Sequence, residues 1–153
     1  MSTGATRPGN VDLILEIFAA VERRDAERFG QLVHADFEIH WPPALPYGGS
    51  YRDLDFHPEP GRRTWAETWD PLQPTAAERR MDPRVVATDD QSGEAVVLWR
   101  QRGRSPTGER FDGPVLGLYK IQDGRLARAQ MFYFDTVALG DFLAKAAPRG
   151  TGT

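Results

Sequence analysis

Residues 113–139 constrain this chain more than any other stretch. Gly113 to Ile121 and Leu126 to Phe134 read as two long strands, joined through Gln122-Asp123-Gly124-Arg125. An Asp-Gly pair accepts the positive φ angles that a tight hairpin turn needs. Asp135 follows where the second strand gives way to a helix. An acid there either stands at the rim of a cavity or caps the helix by accepting backbone N–H bonds.

The rest of the chain fits around that hairpin. Ile14, Ile17, Phe18 and Val21 recur at helical spacing behind Asn10, a plausible N-cap. Asp25 can cap a second, shorter helix that carries Phe29, Leu32 and Val33 on one face. Phe37, Ile39 and Trp41 then alternate with Glu38 and His40, so 36–41 reads as a strand, ended by Pro42-Pro43. From 42 to 61 Pro, Gly, Tyr and Asp dominate, the composition of a long loop, with Gly48-Gly49 as a hinge for closing the Tyr47 to His57 segment. A third helix starts near Arg62 or Arg63, carries Trp65 and Trp69, and ends before Pro71. Strands are expected over 76–88, 95–102, 110–121 and 126–135, with Pro83 and Pro114 at edges or bulges. A closing helix covers 137–147. The fold class is α+β: a cone-shaped, curved antiparallel sheet wrapped around three N-terminal helices, with a short C-terminal helix. One domain spans 10–147, between a disordered tail at 1–9 and a second tail at 148–153.

Charge and composition narrow the function. With 19 Lys and Arg against 22 Asp and Glu, the net charge is -3, and a nucleic-acid partner would need a clustered basic excess. All basic residues except Lys120 and Lys145 are arginine, but they are scattered among the acids and read as a solvated surface. Absence of cysteine excludes disulfides, thiolate metal sites and a Cys nucleophile. His34, His40 and His57 lack the i, i+4 spacing of a helical zinc site, so neither metal nor cofactor is expected. No run of eighteen apolar residues and no signal-like apolar core within 1–9 occurs, which points to a cytoplasmic protein with no membrane partner.

Order and residues together resemble the nuclear transport factor 2-like superfamily, in particular its SnoaL-like polyketide cyclase and limonene epoxide hydrolase-like branches. The likeness runs from about Val11 to Leu143. It is most specific at Gly117-Leu118-Tyr119-Lys120-Ile121-Gln122-Asp123-Gly124-Arg125-Leu126 and Tyr133-Phe134-Asp135. The resemblance implies a cone with a ligand cavity and a homodimer. Matched to ketosteroid isomerases, Trp41 stands at the base position, Ile17 at the helix Tyr and Gly117 near the oxyanion-holding Asp, so that reaction lacks its groups. Matched to the epoxide hydrolases, Arg100 and Asp135 are present and Arg102 replaces an Asp, while Glu38 and His40 stand where a Tyr and an Asn hold the water. The SnoaL-like cyclases use an Asp near the last strand and a His, which here are Asp135 and His40. Such a pair suits proton transfer near neutral pH.

The resemblance and the aromatic inventory together suggest Asp135 and His40 as catalytic residues. Glu38, Trp41, Tyr47, Tyr51, Trp65, Trp69, Trp99, Arg100, Tyr119 and Tyr133 would bind substrate, a flat, apolar, oxygenated small molecule. Three alternatives stay open: Asp135 is only a cap, His40 points to solvent beside Glu38, and either Trp99 and Gln101 or Arg100 and Arg102 face the cavity. The chain is thus either a cofactor-independent acid-base enzyme, whether cyclase, isomerase or epoxide-opening hydrolase, or a non-catalytic binding or dimerisation domain.

Overall fold

The computed structural model describes residues 9–52 and 62–146. Five α-helices and six strands follow one another there as α1 (Asn10–Glu22), α2 (Ala26–Leu32), β1 (Val33–Trp41), β2 (Gly49–Tyr51), α3 (Trp65–Trp69), α4 (Ala76–Arg79), β3 (Arg84–Asp89), β4 (Glu94–Arg104), β5 (Arg110–Gln122), β6 (Arg125–Tyr133) and α5 (Thr136–Ala146). A 3-10 turn over Asp70–Leu72 continues α3. Except for Gly9, the expected tails lie outside the described residues, as does His57.

The strands form one curved, unclosed sheet in the order β2-β1-β6-β5-β4-β3. The Asp-Gly turn behaves as the sequence implies: Asp123 and Gly124 take φ of 54° and 72°, which sets β5 against β6 in an antiparallel register with Tyr119 opposite Ala129. The sheet is not wholly antiparallel. β1 runs parallel to β6, with Ile39 opposite Ala129, because the crossover from the first strand to the last enters from the same end. Alternation then fixes the faces. Phe37, Ile39 and Trp41 of β1, Val97 and Trp99 of β4, and Val115 and Tyr119 of β5 are buried in the core. The sheet packs this face on α1, whose Leu13, Ile14, Ile17 and Phe18 are buried at helical spacing.

Several boundaries differ from the sequence expectation. The stretch over 76–88 is not one strand: Glu78 accepts from the Thr75 backbone N–H at 3.0 Å and from its hydroxyl, which caps the single turn of α4 before β3 begins at Arg84. Pro71 does not stop the chain from turning, because it enters the first turn of the 3-10 segment, where its missing N–H is not needed. Pro114 lies in a strand flanked on both sides. It stands opposite Arg100, one residue beyond the Val115–Tyr133 pair that ends the β6 ladder. α2 is capped as read, with Asp25 accepting from Arg28 N–H at 3.0 Å. No helix among the described residues is long and apolar enough to cross a membrane.

Candidate functional site

Between the concave sheet face and the α1–α2 hairpin lies a cavity of about 460 Å³. Its floor is built by strand alternation. Phe37, Ile39 and Trp41 come from β1, Trp99 from β4, Tyr119 from β5 and Met131 from β6, with Ile17, Phe18, Val21 and Phe29 from the two helices as roof. The aromatic rings meet edge to face, Phe18 standing 5.9 Å from Trp99 and 6.0 Å from Tyr119 between centroids. Edge-to-face rings at such spacing are attractive and leave the floor rigid. The volume falls in the range of pockets that enclose a single small molecule.

The lining also carries a polar latch. Arg24, at a φ of 58° in the turn after α1, lays its guanidinium 5.3 Å from the centre of the Trp65 ring. Its Nε pairs with Asp70 at 2.6 Å and its terminal nitrogen donates to buried Gln73. The latch joins the helical hairpin to α3. Asp25 lines the same rim, its carboxylate engaged by the α2 cap.

Inside, the polar groups are neutral. Tyr119 Oη donates to the thioether of Met131 at 3.6 Å, and burial holds its proton far more tightly than usual. Trp99 Nε1 comes close enough to the Tyr119 oxygen to ease that shift, yet misses hydrogen-bond geometry and has no partner among the described residues. Behind this wall Tyr47 Oη donates to Tyr133 Oη at 2.9 Å, and burial raises both pKa values well above the ordinary one. Trp65 Nε1 donates to Gln101 Oε1 at 3.2 Å.

Of the residues singled out from the sequence, Trp41, Trp65, Trp99 and Tyr119 line the cavity. Tyr47, Tyr51 and Tyr133 form a second aromatic shell around them, with Tyr47 5.6 Å and Tyr51 5.8 Å from the Trp41 ring and Tyr133 6.3 Å from Trp99. Trp69 stacks on Phe142 of α5 at 6.3 Å and is not among the residues that line the cavity. Gly48 is packed, not hinge-like: its carbonyl accepts from Tyr51 Oη at 3.1 Å and from Arg62 at 2.7 Å.

The expected catalytic pair is not assembled in the cavity. Asp135 is exposed and caps α5, accepting from Ala138 N–H at 2.9 Å. His40 and Glu38 lie on the opposite face of β1 from Trp41, because neighbours in a strand point to opposite sides. There His40 Nδ1 meets Ser50 Oγ at 2.7 Å and its Nε2 stands 3.4 Å from Glu38, which also faces Arg128 at 3.5 Å. Arg100 shares that outer face and pairs with Asp112 at 2.6 Å. The open parity of β4 is thereby resolved in favour of Trp99 and Gln101 as the inward residues. No hydrogen bond or ion pair joins Asp135 to His40 or Arg100 among the described residues.

Sequence reading missed Arg24, Phe29, Phe37, Met131 and Asp70 as cavity residues. Phe37 was within reach, since it shares the parity of Trp41, and Gln101 gave a signal as a polar residue on the apolar parity of Val97 and Trp99. Arg24 gave none: in a run of charges, nothing local distinguishes the arginine that turns inward.

The family described as SnoaL-like domain matches residues 14–129. Solved structures share the fold. TerC, co-crystallised with polyporic acid, is 20% identical with a TM-score of 0.66 over 88% of this chain and 98% of its own. Bal32a, from a soil-derived mobile gene cassette, is 15% identical with a TM-score of 0.66 over 88% and 95%. An NTF2-like protein from Burkholderia pseudomallei is 17% identical with a TM-score of 0.59 over 85% and 93%. No curated protein matches the sequence.

Proposed function

This chain belongs to the SnoaL-like domain family, and from that premise we propose that it is a binding domain for one flat, mostly apolar small molecule held inside the cone. The observation that carries this reading is the sorting of side chains by parity. Sheet residues that point into the cavity are apolar or neutral donors, whereas Glu38, His40, Arg100 and Arg102 of the same strands stand outside. An apolar chamber with few fixed polar groups retains a ligand by burial and orients it by those few groups. That TerC was crystallised with polyporic acid is in keeping with a small-molecule ligand.

Acid-base turnover through Asp135 and His40 forms no part of this reading, since neither lines the chamber. A base that cannot come within hydrogen-bond reach of the substrate cannot take its proton. The test is equilibrium dialysis with fluorene, a planar apolar tricycle. The wild-type protein should retain it, and Ala129→Phe, which fills the floor, should not, with circular dichroism unchanged. Equal retention by both, or by neither, refutes the reading.

The outer sheet face also supports a homodimer. Leu98, Leu116 and Phe132 stand opposite one another on β4, β5 and β6, and Leu116 and Phe132 are 42% and 50% exposed. An apolar stripe between charged edges is suited to a second copy of itself. Sedimentation should give a dimer for the wild type and a monomer for Phe132→Glu.

A further inference from the structure

The face of the sheet turned away from the cavity carries a serine, a histidine and a glutamate in line. His40 of β1 stands opposite Ser50 of β2 in the antiparallel register, and its Nδ1 lies 2.7 Å from Ser50 Oγ. Glu38, two residues earlier and so on the same face, places Oε1 3.4 Å from the other ring nitrogen. That nitrogen, Nε2, is shut off from solvent and has no hydrogen bond of good geometry among the described residues. Ser50 is exposed and sits on the edge strand β2, two places along the sheet from β6, outside the stripe of Leu98, Leu116 and Phe132.

The partners decide where the protons sit. A carboxylate accepts and cannot donate, so Glu38 favours the tautomer with the imidazole proton on Nε2. Nδ1 is then the acceptor, and the Ser50 hydroxyl donates to it. A hydroxyl that donates to a neutral imidazole whose far N–H faces a carboxylate is the arrangement by which a serine becomes a nucleophile. The carboxylate is itself held, because Arg128 of β6 and Arg52 reach it at 3.5 and 3.6 Å. Arg52 follows Ser50 by two residues, and its side chain is 89% exposed. Its guanidinium can swing to an oxygen beside Ser50 that gains negative charge.

We propose that Ser50, His40 and Glu38 form a second site, on the outer face, that hydrolyses small activated esters. Ser50 Oγ attacks the acyl carbon as its proton passes to His40 Nδ1, giving a tetrahedral adduct whose oxyanion Arg52 meets. The adduct collapses by breaking the ester C–O bond, and the departing oxygen takes the proton from His40. Water then repeats the sequence on the acyl-serine: it gives one proton to His40, the bond from Oγ to the acyl group breaks, and that proton returns to Ser50 as the acid leaves. Ester and water thus become acid and alcohol. Ser50 lies outside the cavity, so acceptance rests on reactivity instead of burial of the chain, and the site suits a small acyl group with a good leaving group. Glu38 is a positioning residue, acting through the imidazole.

The test is p-nitrophenyl acetate with the full chain. Stopped-flow absorbance should show a burst of about one nitrophenolate per chain, the mark of an acyl-enzyme, and mass spectrometry of the quenched protein should place the acetyl group on Ser50. Ser50→Ala should abolish the burst. His40→Gln, which keeps a polar partner for the hydroxyl but no base, should slow acylation by about a hundredfold or more. Glu38→Gln should slow it by about tenfold or more at an unchanged burst amplitude, a split that a merely structural role would not produce. Fluorene retention should be the same in all three variants, since none of these residues lines the cavity. No burst, a burst that survives in Ser50→Ala, an acetyl group found only on other residues, or unchanged acylation in His40→Gln or Glu38→Gln overturns the site and leaves the binding reading standing.

Discussion

Gly117 gives the sharpest physical handle on the site, because its missing side chain is occupied by the ring of Tyr119. In Gly117→Ala the new Cβ would come 2.4 Å from a ring carbon and 2.8 Å from the hydroxyl oxygen, far inside van der Waals contact, so the ring must rotate off the strand. Overpacking of this kind costs about 1–3 kcal/mol. It is offset by about 0.4–1 kcal/mol from the reduced freedom of the unfolded chain, since residue 117 has no positive φ that would disfavour alanine. A net loss of about 1–2 kcal/mol is expected. With m about 1–3 kcal/mol per molar urea, the midpoint should fall by about 0.3 to 2 molar. The decisive measurement is the cycle with Tyr119→Ala. That change alone should cost about 3–5 kcal/mol by leaving a cavity, but once the ring is gone the alanine at 117 meets nothing, and adding it should be neutral or slightly stabilising. The coupling should therefore be at least about 1 kcal/mol, in the sense that the double variant is more stable than the sum of the singles predicts. Additivity within about 0.5 kcal/mol would mean that the ring does not lie over residue 117.

Three other perturbations test the surroundings. Asp135→Ala should lower stability by about 1 kcal/mol, the usual value of an N-cap, and leave fluorene retention unchanged; lost retention would put the residue back in the site. Arg24→Met removes the contact to Trp65 and the pair with half-exposed Asp70. It should cost about 1 kcal/mol in urea unfolding and speed probe release in stopped-flow, whereas unchanged release would show that the latch does not guard the mouth. The hydrogen bond from Arg102 holds the Asp82 carboxyl below the ordinary range. A carboxyl depressed in the folded state adds stability above its unfolded pKa and loses it as pH falls through the folded value. Arg102→Gln should flatten that acid limb and return Asp82 to the ordinary range in a carboxyl NMR titration. The effect is small because the pair is close to solvent.

The architecture was legible because its signals are local and mutually consistent. The Asp123-Gly124 pair specifies a turn, which fixes the β5–β6 register, and alternation along β1, β4 and β5 then decides what is inside. The elements that escaped are those where side-chain bonds override strand propensity, as at Thr75 and Glu78, and where pairing depends on residues far apart in the chain, as in the parallel β1–β6 ladder. The site was half legible. Trp41, Trp65, Trp99 and Tyr119 could be found as aromatics on the inward parity of strands or at the start of α3. Asp135 and His40 were attractive for their chemistry and for a family likeness, but residue type says nothing about which way a strand residue points.

That last point bears on how chemistry can be distributed in such a cone. A strand offers its inward positions at every second residue, so a function is gained or lost by side-chain identity on one parity, with the other free to carry charge. Here β4 reads Val97, Trp99 and Gln101 inward and Leu98, Arg100 and Arg102 outward. Moving a carboxylate to the inner face of the sheet would require a substitution on the first set. Gln101 is the position where it would cost least, because it is buried, already polar and already accepts from Trp65. Gln101→Glu keeps the acceptor and adds an ionisable group in a low-dielectric wall, so its pKa must rise above the ordinary glutamate value by desolvation. The charged form would be disfavoured by folding, and stability should therefore fall as pH rises from 5 to 8 in this variant and not in the wild type. A variant that shows no such slope would mean that the wall behind Trp65 is wet, and that the chamber is less enclosed than its lining implies.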